Sequence, residues 1–157
     1  MDIHIQKLDS IEKRHFDLLL EADPSKRLVE DYLARSIYFE ARNNKQFVGI
    51  IVLLPTRAKV LEIVNLAVKE EFRNQKIGQT LILFALTFAR KNRYDVVEIG
   101  TGTTGFSQLY LYQKCGFRMT HIDSDFFIRH YQEPIFENNL QLKDMVRLSH
   151  VIQNLDE

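Results

Sequence analysis

The loop Arg73-Asn74-Gln75-Lys76-Ile77-Gly78 stands between an alternating apolar run and a helical one, and it is rich in amide donors. A helix start presents N–H groups that lack intrahelical acceptors, together with a positive dipole end, so it holds a phosphate without a dedicated side chain. Acidic residues favour a first turn for the same reason, yet none lies between Arg73 and Leu83. An external anion can take that place. The chemistry implied is pyrophosphate binding, with Gly78 small enough to let the phosphate approach.

The elements that must position this loop are legible on both sides. Val60 to Val68 reads as a buried strand. From Gly78 to about Lys91, Leu81, Phe84, Ala85, Phe88 and Ala89 follow the helical period, and Ile82, Leu83 and Leu86 widen the stripe. Upstream, Asp2–Leu8 alternates as a first strand, and Ile11–Leu20 reads as a helix. Asp23 as cap and Pro24 at the first helical position predict a second helix to about Ser36. Ile37–Ala41 and Gln46–Leu54, joined by Asn43-Asn44-Lys45, complete an antiparallel meander with Val60–Val68. Val96–Ile99 follows a helix and is expected parallel to Val60–Val68. A fourth helix, Phe106–Lys114, ends at Cys115-Gly116, the position of a left-handed glycine cap. Asp144–Val151 is the best strand of the tail. The order is β-α-α-β-β-β-α-β-α-β-β.

With those elements in place, the strand–loop–helix resembles the acetyl-coenzyme A site of the GCN5-related N-acetyltransferase (GNAT) family, whose loop motif is Gln/Arg-x-x-Gly-x-Gly/Ala. A second signature, Tyr-x-Lys-x-Gly-Phe, stands intact as Tyr112-Gln113-Lys114-Cys115-Gly116-Phe117. The resemblance implies an α/β (α+β) fold with a mixed, mostly antiparallel central sheet of about seven strands and helices on both faces. It implies one N-acetyltransferase domain over residues 1–157, using acetyl-coenzyme A and no metal. Its cofactor site maps onto Arg73, Asn74, Gln75, Lys76, Ile77, Gly78, Gln79 and Thr80, with Leu66, Ala67 and Val68 on the strand and Thr103 and Gln108 beyond the next one. Two positions depart from the family. Lys76 occupies the first glycine, with its ammonium in solvent or partly on the phosphates. Gly102-Thr103-Thr104-Gly105 offers hydroxyls where many relatives carry asparagine.

Amide formation sets the mechanism to be looked for. A lysine-like amine with an unperturbed pKa near ~10.4 is neutral in only about one molecule in ~10³ at pH 7, a cost of ~4–5 kcal/mol that a positioned base can share. By resemblance to the histone-acetyltransferase branch, Glu62 is the general base, directly or through water; a salt-bridged strand residue is the plainer alternative. Tyr112 holds the family's general-acid position, against the alternative of a hydrogen-bonded core tyrosine. The resemblance also implies a backbone N–H from Leu66 to Val68 for the acetyl oxygen, where the strand splays from Val96–Ile99. Unpaired strand donors there can receive the pantetheine arm like an added strand.

Other features carry less. His130, Tyr131 and Glu133 read as a surface loop that can also border the acceptor pocket. His4, His15, His121 and His150 read as structural or solvated, and Cys115 as a small core residue. Lys114 is explained by the helix dipole. Gly100-Thr101-Gly102-Thr103-Thr104-Gly105 spells Gly-x-Gly-x-x-Gly after a strand and resembles an S-adenosylmethionine methyltransferase motif, but 52 residues after Gly105 are too few for the remaining crossover units. A non-catalytic acyl-coenzyme A sensor is the other rival.

Composition bounds the rest. The 157 residues carry 21 Lys+Arg and 21 Asp+Glu, a formal charge of +0, so no global field draws nucleic acid or an anionic membrane. One cysteine excludes an internal disulfide, and no signal-peptide core or membrane-length apolar run is present. The expectation is a cytoplasmic protein acting on a small-molecule or peptide amine, with an exposed terminal strand that can pair with a second copy in a homodimer.

Overall fold

The computed structural model describes residues 1–153. A seven-stranded sheet organises it, built from β1 (Ile3–Lys7), β2 (Ile37–Asn43), β3 (Gln46–Arg57), β4 (Val60–Val68), β5 (Val96–Gly102), β6 (Arg118–Asp123) and, last in the chain, β9 (Met145–Val151). Their spatial order is β1-β2-β3-β4-β5-β9-β6. Every pairing is antiparallel except β4 with β5, which are joined through a helix and run parallel as expected. Helices α1 (Lys13–Ala22) and α2 (Lys26–Leu33) cover one face, and α3 (Ile77–Lys91) and α4 (Phe106–Lys114) the other.

Each face has its own core. Leu81, Ile82, Ala85 and Ala89 of α3 pack with Leu53, Leu61, Ile63, Val97 and Ile99 from the sheet. Leu18, Leu19 and Val29 of α1 and α2 pack with Ile50, Val52 and Ala67. At about 25 cal/mol per Å² of apolar surface, each such leucine or isoleucine contributes roughly 1.5–3 kcal/mol. The central strand β3 carries both sets on alternate residues, which is why Gln46–Leu54 reads as a continuous apolar run.

A bulge in β4 decides the geometry of the site. Leu53 pairs with Ile63 but Val52 pairs with Asn65, so Val64 is an extra residue. Leu61 and Ile63 face α3, whereas beyond the bulge Asn65 and Ala67 face α1 and α2. A bulge bends its strand and raises the local twist. The β4–β5 ladder accordingly runs from Val60↔Val96 to Ile63↔Ile99 and stops there.

Several expectations are corrected. Ser25, not Asp23, caps α2: its side chain accepts from Leu28 N–H at 3.2 Å, and Pro24 lies outside the helix. The Asp23 carboxylate is occupied by the hydroxyls of Tyr32 at 3.1 Å and Tyr131 at 2.8 Å. The last strand is not a free edge, because β9 lies between β5 and β6; the open edges are β1 and β6. The tail also contains a short helix α5 (Phe126–His130) and a hairpin of β7 (Phe136–Glu137) and β8 (Leu140–Gln141), elements too short for periodicity to reveal.

His15 is structural. Its Nδ1 accepts from the Glu12 N–H at 3.0 Å, leaving Nε2 to donate to Glu40 Oε1 at 2.9 Å, and both side chains are 1% exposed. Burial alone would raise the Glu40 pKa, but donors from Arg42, His15 and Gln6 outweigh it and lower it to about 2.

Candidate active site

The loop after β4 begins with a 3-10 turn, Glu70–Phe72, and enters α3 through Lys76. Lys76 is left-handed, with φ 65°, as is Asn74 with φ 63°. Both are exposed. The glycine of the family motif is therefore replaced by a lysine that keeps the glycine-type backbone, at a cost of roughly 1–2 kcal/mol. Its side chain makes no cap to the helix, and the first turn of α3 contains no acidic residue. Thr80 N–H is bonded to Lys76 O at 3.0 Å, leaving the N–H groups of Ile77, Gly78 and Gln79 as the helix's open donors. Thr80 Oγ1 donates to the same carbonyl at 2.9 Å, so its hydroxyl is spent on the helix.

Gly78 is not required by the protein itself. A Cβ there would meet only Leu111 Cδ2, at 3.6 Å. The open space lies above the helix start, which suits a phosphate held by backbone donors. Arg73, although exposed, ties the loop to the sheet and to α1, donating from Nε to Val68 O at 3.1 Å and from Nη2 to Glu21 Oε1 at 3.5 Å. Gln75 Nε2 donates to Glu71 O at 3.4 Å.

Past the bulge, β4 presents its other edge to the gap. Lys69 N–H donates to Val48 O across β3, so alternation turns Ala67 to the same side and the backbone groups of Leu66 and Val68 toward the gap left by β5. Of the three strand residues expected to face a cofactor, Leu66 and Val68 have that orientation and Ala67 does not. Thr103 is exposed just before α4, and Gln108 lines the cavity described next.

A cavity of about 940 Å³ opens on the α1/α2 side and reaches the gap. Glu62 of β4 and Tyr112 of α4 both line it. Tyr112 is 7% exposed, and burial pushes its phenol well above the ordinary tyrosine value, so at neutral pH it holds its proton. Among the described residues its hydroxyl makes no hydrogen bond. Glu62 is in a salt bridge, with Arg147 Nη2 at 3.3 Å from Oε1. His130 and Tyr131 are not a detached surface loop: His130 ends α5, Tyr131 is tied to Asp23, and both line the cavity, whereas Glu133 is exposed outside it. Burial, then the Asp23 charge, raises the pKa of Tyr32 and of Tyr131.

Sequence reading missed Arg147 and Asn65. Asn65 is 5% exposed and donates from Nδ2 to Leu19 O at 3.1 Å and to the Tyr32 hydroxyl at 2.8 Å. Its Oδ1 has no partner among the described residues. Neither residue sits in a local motif, because Arg147 acquires its neighbour across the sheet and Asn65 acquires its neighbours from α1 and α2.

The glycine-rich decoy is resolved by packing. Gly100 and Gly102 lie within β5, not in a turn; added Cβ atoms would stand 2.5 Å from Met145 Sδ and 2.8 Å from Leu142 Cδ2. At Gly105 a Cβ would meet Thr101 Oγ1 at 2.6 Å. These glycines make room for neighbouring side chains. Burial raises the Cys115 thiol, which is consistent with a core role. Among the described residues there is no cluster that could hold a metal, and no helix long and apolar enough to cross a membrane.

The acetyltransferase (GNAT) family profile matches residues 5–117. This chain belongs to the GNAT family. It is 52% identical over 133 residues, 85% of this chain and 86% of the relative, to a Bacillus subtilis (strain 168) protein described as uncharacterized N-acetyltransferase YvbK. A crystal structure of a Bacillus subtilis acetyltransferase in complex with CoA superposes with a TM-score of 0.92 at 46% identity, covering 97% of this chain and 100% of that one. A GNAT acetyltransferase from Elizabethkingia anophelis with acetyl-CoA bound gives 0.91 at 41% identity, covering 95% and 97%. The methyltransferase alternative is thereby removed. The chain is a GNAT N-acetyltransferase with the mixed, mostly antiparallel sheet of that fold.

Proposed function

We propose that this chain, acting as one domain over residues 1–157, transfers the acetyl group of acetyl-coenzyme A to a primary amine of a small molecule or peptide by direct attack in a ternary complex. The observation that carries this is that Glu62 and Tyr112 line the same cavity, which also includes Ile63 and Ile99, where the β4–β5 ladder ends. The residues fit the co-substrate: open N–H groups of Ile77, Gly78 and Gln79 for its pyrophosphate, and for its pantetheine arm the edge at Leu66 and Val68 beyond the β4–β5 ladder, where Val68 O already accepts from Arg73. Acetyl-coenzyme A supplies the acyl group as an activated thioester.

Glu62 takes the proton from the amine, directly or through water. The neutral amine nitrogen forms the C–N bond, the C–S bond breaks, Tyr112 gives its proton to the departing sulfur, and the surplus proton left on the nitrogen restores the phenol. Burial suits Tyr112 to this role by keeping it protonated until a thiolate appears. Lys76 leaves its ammonium to solvent and the outer phosphate oxygens. The absence of a membrane-crossing helix among the described residues fits a cytoplasmic setting. Assembly into a homodimer would use the free edge of β6 or β1, since β9 is interior.

The test is thiol release from acetyl-coenzyme A across a panel of amines. Glu62→Gln should lower turnover most at low pH, where the amine is hardest to deprotonate, and the deficit should shrink as pH rises. A deficit independent of pH would make Glu62 structural. Binding of acetyl-coenzyme A with no thiol release for any amine would favour a sensor.

A further inference from the structure

Glu62 on β4 and Arg147 on β9 meet across the strand between them. Arg147 Nη2 lies 3.3 Å from Glu62 Oε1, and Nη1 lies 3.4 Å from Oε2. The guanidinium can make this crossing because β5 carries a glycine beneath it. Gly100 is the register partner of Arg147, and a Cβ on it would stand 3.0 Å from Nη1. A tight arginine–carboxylate fork has N···O separations of about 2.7–2.9 Å. This one is longer at both arms, and its side chains stay 18% and 19% exposed in a shared cavity. Neighbouring arginines are engaged elsewhere, Arg57 with Glu98 at 3.1 Å and Arg35 with Asp31 at 2.9 Å.

We propose that the Glu62–Arg147 pair recognises an acceptor that carries its reacting amine and a carboxylate on one carbon, an α-amino acid. The inference rests on the acetyl-transfer reading above, since the amine it orients is the one acetylated. In such a molecule the two charged groups are two bonds apart through Cα. The zwitterion lies head to tail along the pair, ammonium toward Glu62 and carboxylate toward Arg147. That places the nitrogen at the base and exchanges a loose internal contact for charge-assisted hydrogen bonds.

The remainder of the cavity suits the side chain of the same molecule. Tyr32, Phe126, Phe127 and Tyr131 line it, and the rings of Phe126 and Phe127 meet edge to face at 5.1 Å. This aromatic wall favours a large apolar or aromatic side chain. The site therefore selects by three features at once: amine, carboxylate and apolar bulk.

The experiment compares kcat/KM, by thiol release, for the standard amino acids, their primary amides and the corresponding decarboxylated amines. A free amino acid with a large apolar side chain should exceed its amide by about 100-fold, or ~2.8 kcal/mol at ~1.4 kcal/mol per tenfold. Arg147→Gln should collapse that preference, mainly through KM, with a loss at least ~10-fold greater for the free acid than for the amide. Arg147→Lys should restore part of it, because a cation remains without the fork. Equal use of acid and amide by the unaltered protein, or an equal loss on both in Arg147→Gln, would overturn the inference and leave acetyl transfer standing. No thiol release from any acceptor, with acetyl-coenzyme A still bound, would overturn both.

Discussion

Tyr112 belongs to the core and also lines the cavity, so its proposed acid role can be separated from packing. Tyr112→Phe keeps the ring and removes the proton. Turnover should fall by ~10- to 100-fold while acetyl-coenzyme A affinity, measured by titration calorimetry, stays nearly unchanged. An equal fall in both would remove the acid role. Lys76 shows a different kind of residue effect. Its side-chain type departs from the family motif, yet its φ of 65° is the conformation that glycine adopts freely. Lys76→Gly should leave stability unchanged or raise it by up to ~1 kcal/mol, because relief of left-handed strain exceeds the entropy glycine adds to the unfolded chain. A urea midpoint measures this directly. The signature Tyr112–Phe117 and the loop Arg73–Gly78 were legible as motifs because each is contiguous. Arg147 was not, since its meaning depends on Gly100 lying beneath it.

In the proposed reading, the helix α3 and the strand β4 are the elements that make an acyl-donor site out of ordinary backbone. The uncapped helix start would face one part of the donor, and the strand edge beyond the bulge at Val64 another. Gly78→Val separates the ligand's demands from the protein's. The introduced Cβ has room beside Leu111, so thermal stability should fall by no more than about 1 kcal/mol, whereas acetyl-coenzyme A affinity should fall ~10-fold or more. Unchanged affinity would place the phosphates elsewhere. Periodicity located both elements to within a residue or so, since each runs nine residues or more with a regular apolar pattern. It misassigned the start of α2, because Ser25 caps the helix while the Asp23 carboxylate accepts from Tyr32 on α2 and from the distant Tyr131.

Across the whole molecule, the sheet joins residues far apart in sequence, and its buried charges link stability to pH. Glu40 ordinarily titrates near 4.5 and is held near about 2 in the folded state. A lowered folded-state value means that the carboxylate stabilises the fold above 4.5 and that this contribution is lost as pH falls toward about 2. Urea unfolding between those values should show a loss that Glu40→Gln flattens; an unchanged slope would assign the acid sensitivity to other groups. By itself the chain determined its family and its strand and helix order up to Gly116, because those depend on local periodicity and contiguous motifs. Only tertiary structure decided that β9 lies inside the sheet, that α5 and Tyr131 wall the cavity, and that Glu62 faces an arginine 85 residues away. Such contacts follow from strand order and register, which one-dimensional spacing does not encode.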